Sequence, residues 1–159
     1  MDTGVATWQR RLSDLDQVVV DTNVIIYFLQ QAEPYHSLAT QLFAACESGS
    51  LSVLVSALVE LELLVGPFRD NDTDGVERIQ LFLDHFPNLS VVPIDRTVAQ
   101  AAARARAKYG IATPDALVVG TALAAGCDAV IGNDKQWATR LTDPPYILLS
   151  DYLPAQRGE

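Results

Sequence analysis

The chain has 159 residues, 49% hydrophobic and 19% charged, which is enough apolar material for one soluble domain with a substantial core. Its 11 basic and 20 acidic side chains give a net charge of −9, which argues against holding nucleic acid by phosphate neutralisation alone. No apolar run approaches the roughly 18–20 residues of a membrane helix, and the polar stretch from Met1 to Asp16 does not have the form of a secretory signal, so a cytoplasmic protein is expected.

In chain order, residues 1–17 read as a helical or loose lead-in, followed by a domain over 18–150 and a tail over 151–159. The first strand is expected at Val18–Asp21, where three β-branched residues are stopped by an acid, with a helix from Asn23 to Gln30. Glu33-Pro34 breaks the pattern, and a second helix runs from Tyr35 to Ser48, closed by Gly49. Leu51–Ser56 is a strand whose last serine can cap a helix that ends at Gly66-Pro67. The polar stretch Arg69–Gly75 reads as a loop, with Thr73 or Asp74 capping a helix that runs to Pro87. A third strand is expected at Val91–Ile94, ending at Asp95, and the alanine-rich run Thr97–Tyr109 is a helix closed by Gly110. Thr113-Pro114-Asp115 reads as N-cap, N1 and N2 of a helix ending near Gly126. Asp128–Ile131 is a fourth strand, Lys135–Leu141 a short helix and Tyr146–Leu149 a final strand. Strands alternating with helices predict a three-layer α/β/α fold around a mainly parallel sheet.

On this layout several acids collect where ligands of parallel sheets bind, outside the strand ends. Asp21 ends the first strand, Asp95 the third, Asp134 follows the fourth, and Asp115 opens a helix. Hard divalent cations take oxygen ligands such as these, and clustered carboxylates raise one another's pKa unless a cation or proton joins them. Each acid also suits a helix cap or first turn, Asp95 particularly. Glu60 and Glu62 point about 160° apart on one helix, so both cannot serve one site; the apolar pattern leaves the choice between them open. Cys46 and Cys127 read as buried thiols in a reducing compartment, and His36 and His85 are isolated.

Asp21-Thr22-Asn23, with a hydrophobic helix after it, resembles the opening motif of the PIN domain. Val55 to Gly66 resembles its second motif, in which a serine precedes the glutamate by six positions and a glycine follows it by four; that register selects Glu62, with Ser56 and Gly66 as markers. Thr113 to Leu123 resembles the third motif with Asp115 as its acid, and Val130 to Lys135 the fourth, with Asp134 as its acid and Asn133 beside it. The likeness covers about Val18 to Leu149, and the short form resembles the VapC toxins of bacterial toxin–antitoxin pairs. Two departures stand out: Gly132 occupies a place where the family usually has Ser or Thr, and the lead-in before Asp21 is longer than usual.

The resemblance implies a metal-dependent endoribonuclease that leaves a 5′-phosphate and a 3′-hydroxyl. Asp21, Asp115 and Asp134 would hold Mg²⁺ or Mn²⁺ directly or through water, with Glu62 completing the shell and Thr22, Asn23 and Asn133 in support. It also implies a cognate antitoxin and a homodimer. With so acidic a chain, RNA would be guided by local positives, for which Arg104, Arg106, Lys108, Lys135 and Arg140 are the candidates. Two other readings compete: a PIN-like module that only binds a partner, and a receiver-type switch phosphorylated on Asp95.

Overall fold

Val18, Val19 and Val20 are all fully buried, which a strand achieves only when both faces of its sheet are covered. They form β1 (Gln17–Val20), flanked in parallel by β2 (Ser52–Ser56) and β4 (Ala129–Gly132). The outer strands are β3 (Leu89–Val92) and β5 (Tyr146–Leu148), also parallel. The order is therefore β3-β2-β1-β4-β5. In register, Val19 lies between Leu54 and Val130, so these three side chains share one face at the centre of the sheet.

The computed structural model describes residues 3–154. Among them the helices are α1 (Thr3–Ser13), α2 (Thr22–Leu29), α3 (His36–Ser48), α4 (Ala57–Arg69), α5 (Thr73–His85), α6 (Arg96–Tyr109), α7 (Thr113–Ala125) and α8 (Lys135–Arg140), with a 3-10 turn at Leu149–Tyr152. They cover the parallel sheet on both faces, the expected three-layer α/β/α architecture. Phe28, Phe43, Phe82 and Phe86 meet ring to ring at 4.5–6.0 Å and join α2, α3 and the C-terminal end of α5. Helices α6 and α7 cross closely at Gly120, where a Cβ would stand 2.7–2.8 Å from the Ala102 backbone nitrogen, the Ala102 Cβ and the Val98 carbonyl.

Residues before and after the 18–150 stretch share this core. Trp8 is fully buried, its indole N–H donates to the Leu38 carbonyl at 2.9 Å, and its ring packs on Tyr152 at 4.8 Å. Asp128 accepts from the amides of Asp16 and Gln17 at 2.8 and 3.1 Å, which holds its carboxyl below the usual range and ties the strand starts together.

Several boundaries differ from the sequence expectation for identifiable reasons. Helix α4 passes through Gly66-Pro67 to Arg69, because Gly66 has no Cβ to clash with the proline ring. The loop after it is correspondingly shorter, and Asp72, not Thr73 or Asp74, caps α5 by accepting from the Gly75 amide at 3.0 Å. Strand β3 lies two residues earlier than expected, since Pro93 has no N–H to give to a ladder. Asp95 thus sits beyond the strand and caps α6, accepting from the Val98 amide at 2.9 Å. Ala112, not Thr113, is the N-cap of α7, which moves Pro114 and Asp115 one position further in. Strand β4 is likewise shifted by one, to Ala129–Gly132.

Because Trp8 is fully buried against α3 and the 3-10 turn, Trp8→Ala should lower the unfolding free energy by about 3–5 kcal/mol. Urea denaturation would measure it, and an unchanged midpoint would show that α1 is dispensable.

Candidate functional site

The chain leaves β1 toward β2 and β3 on one side, then crosses to β4 on the other. The C-terminal ends of β1 and β4 therefore border the switch point of the sheet, where open parallel sheets form a ligand crevice. Asp21 follows β1 directly and Asp134 lies two residues beyond β4. The Asp21 amide donates to the Ile131 carbonyl at 2.9 Å, which locks the two strand ends together.

Asp21 caps α2, its Oδ1 accepting from the Thr22 amide at 2.8 Å. Burial, aided by the charges of Glu62, Asp115 and Asp134, pushes its carboxyl up to about 6 against the pull of that hydrogen bond. Glu62 is an exposed residue on α4, yet its carboxyl is raised by partial desolvation and by Asp115. The Thr22 hydroxyl lies close enough to Glu62 to offset part of that rise, but it is buried without a hydrogen bond of normal geometry. Asp115 makes no capping bond on α7; desolvation raises its carboxyl, the Trp137 indole N–H favours the charged form, and Asp134 opposes it. Asp134 caps α8 through Oδ1, which accepts from the Gln136 amide at 2.9 Å.

Four carboxylates thus feel one another around Asp21, and Glu60 is not among the charges acting on them. Nor is Asp95, whose carboxylate is taken up by its cap. The all-oxygen donor set and the unpartnered buried Thr22 hydroxyl fit a hard divalent cation in chemistry. Among the described residues no three acids, histidines or thiols are gathered around one point. Magnesium-type sites commonly use one or two direct carboxylates with water in the rest of the shell, so such an ion does not need three protein ligands at one point.

The sequence model of the PIN domain matches residues 18–140. The chain belongs to the PIN domain family. No curated protein matches the chain. Among solved structures, the fold is similar to that in VapBC2 from Rickettsia felis bound to promoter DNA, with 15% identity and TM-score 0.64 over 82% of this chain and 96% of that one. FitAcB from Neisseria gonorrhoeae gives 21% identity and TM-score 0.65 over 84% and 98%. VapC20 from Mycobacterium tuberculosis, a sarcin–ricin loop cleaving toxin, gives 14% identity and TM-score 0.61 over 77% and 93%.

Around the PIN acids, the supporting residues divide. Asn23 is exposed, whereas Asn133 donates to the Tyr27 hydroxyl at 3.2 Å and accepts from the Ser150 amide at 3.1 Å. Of the basic candidates, Arg106 is committed to the Ile111 carbonyl at 2.9 Å, and Lys108 lies over the Tyr109 ring. Arg104 and Lys135 are exposed, and Arg140 shares a cavity of about 160 Å³ with Asp115. Sequence reasoning missed Arg69 and Arg78, which line a groove of about 390 Å³ with Glu62; they converge only once α4 and α5 pack. It also missed Tyr146, whose hydroxyl accepts from the Asp134 amide at 3.0 Å beside Gly132. Cys46 and Cys127 are buried free thiols, both pushed up to about 11 by burial, away from this PIN centre.

Because the folded carboxyl of Asp21 lies above its ordinary 3.8, its ionisation opposes folding. Metal-free stability should fall as pH rises from about 4 to about 6, by at most about 3 kcal/mol. Asp21→Asn keeps an oxygen for the cap and removes the charge, so its stability should fall less over that window. Melting in EDTA across pH 4–7 checks this; parallel curves for the two proteins would contradict the burial of that charge.

Proposed function

We propose that this PIN domain is a Mg²⁺- or Mn²⁺-dependent endoribonuclease and the toxin of a toxin–antitoxin pair. The observation that supports the reading is that Asp21, at the switch point, is held at a raised pKa by burial and by the charges of Glu62, Asp115 and Asp134. Such a cluster is unfavourable when empty and becomes favourable when a cation neutralises it.

Asp21, Asp115 and Asp134 would hold the ion, directly or through water, with Glu62 completing its shell. When bound, such an ion polarises a phosphate and makes a water acidic enough to attack phosphorus. The chain's own residues prepare the place. The Thr22 amide fixes Oδ1 of Asp21 and leaves Oδ2 for the cleft. The Gln136 amide does the same for Asp134, and the Trp137 indole steadies Asp115. The new bond forms between the water oxygen and phosphorus and the P–O3′ bond breaks, leaving a 5′-phosphate and a 3′-hydroxyl. Arg69 and Arg78 beside Glu62, and Arg140 beside Asp115, would receive the RNA backbone on either flank; Arg104 and Lys135 are further exposed positives.

A protein partner is supported by Leu61, Val65 and Phe68, which are exposed on α4 next to Glu62. The similar folds in VapBC and FitAcB complexes support an antitoxin as that partner, and a net charge of −9 suits a basic covering segment. We also propose a homodimer and a cytoplasmic location; among the described residues no helix is long and apolar enough to cross a membrane.

Asp115→Asn should lower Mn²⁺-dependent cleavage of whole-cell RNA at least about 100-fold without lowering the melting temperature. EDTA should abolish the wild-type cleavage and added Mn²⁺ restore it. Full activity in Asp115→Asn, or none in the wild type with Mn²⁺, would sink the proposal and favour a binding module.

A further inference from the structure

Gly132, the last residue of β4, is buried between the segments that carry Asp21 and Asp134. Its backbone is that of a strand and its φ is not among the left-handed ones, so no conformational demand requires glycine there. Space does. A Cβ built on Gly132 would overlap the Tyr146 hydroxyl, and would come within 3.1 Å of its Cζ and 3.3 Å of the Asp21 Cβ. Glycine at 132 and tyrosine at 146 are thus two halves of one arrangement: the strand omits a side chain and its neighbour supplies a hydroxyl in the gap.

We propose that Tyr146 is a positioning residue of the acidic centre, its hydroxyl standing in the place of a polar side chain at position 132 and fixing the turn that carries Asp134. The inference rests on the reading of that centre as a cation site. Tyr146 opens β5 opposite Val130, and from there its hydroxyl reaches over Gly132 to accept from the Asp134 amide at 3.0 Å. Its ring packs at 5.4 Å on Trp137, the residue whose indole steadies Asp115. One side chain therefore touches the supports of two acids and lies against the backbone that locks the third.

A space-filling role would be met equally well by phenylalanine. The hydroxyl, however, lies in the gap over Gly132 and accepts from the Asp134 amide at 3.0 Å, a bond phenylalanine could not make. Burying a hydroxyl costs free energy unless its bonding is used. Since its oxygen accepts the Asp134 amide, its proton remains available as a donor toward the cleft. That proton can meet a carboxylate oxygen or a water in the shell of an ion, the kind of outer contact that sets ligand orientation.

The test combines Tyr146→Phe, Tyr146→Leu, Gly132→Ser and the Gly132→Ser/Tyr146→Leu double variant. Each is measured for Mn²⁺ affinity by calorimetry, for RNA cleavage, and for melting in EDTA. Tyr146→Phe should weaken Mn²⁺ binding and cleavage by about 10–100-fold while melting as wild type. Gly132→Ser alone should also lose affinity, because its side chain meets the Tyr146 hydroxyl. In the double variant the ring is gone and a serine hydroxyl occupies the gap, so at least about tenfold of the affinity lost in Tyr146→Leu should return. Wild-type Mn²⁺ affinity in Tyr146→Phe would overturn the role of the hydroxyl while leaving the cation site standing. A wild-type protein that neither binds Mn²⁺ nor cleaves RNA would overturn both.

Discussion

Burial of the Asp21 carboxyl at the sheet edge, within reach of three other acidic charges, is the constraint on which the site depends. Asp21 is held by two bonds, its amide to the Ile131 carbonyl of β4 and its Oδ1 to the Thr22 amide of α2. It cannot swing into solvent without uncapping a helix whose Val24 and Ile25 are fully buried. The other acids come from separate elements, α4, α7 and the start of α8, each anchored in the same core. The stability supplied by burying β1 and its neighbours therefore maintains an electrostatic stress at the sheet edge. Under the proposed reading a divalent cation would relieve that stress, since carboxylate oxygens are the ligands such ions take.

The sheet order explains why the stress sits where it does. With β1 central and the crossover from β3 to β4 passing to its other side, the β1 and β4 ends lie at the switch point, where open parallel sheets bind ligands. Two helix caps meet at this edge: Oδ1 of Asp21 and Oδ1 of Asp134 each accept from an amide at the start of a helix. Tyr146 and Gly132 then fill the floor between them. The groove past Glu62, lined by Arg69 and Arg78, offers positive charge that an overall acidic chain does not offer in bulk.

The central strand and its terminal acid were legible because three β-branched residues followed by Asp-Thr-Asn allow few other arrangements, and the register of Ser56 and Gly66 separated Glu62 from Glu60 where apolar periodicity did not. Local chemistry misled where one residue modified another's usual effect. Gly66 made Pro67 tolerable inside α4, and Pro93 moved β3 toward the N-terminus, leaving Asp95 as a cap rather than a strand end. The acidic run Asp70 to Asp74 offered several caps, and only the packing of α5 decided for Asp72. The partnership of Gly132 with Tyr146 was not legible at all: glycine at 132 is a loss when seen alone, and becomes an accommodation only when β5 lies beside β4.

The central claim is that the acids around Asp21 form a cation site. Anomalous diffraction from crystals soaked in Mn²⁺ tests it most directly. The account predicts a peak in the crevice beyond β1 and β4, within about 2–2.5 Å of a carboxylate oxygen of Asp21 and of Asp115 or Asp134, with the remaining acids linked through water. A crevice without anomalous density, in crystals that show Mn²⁺ bound elsewhere, would contradict it.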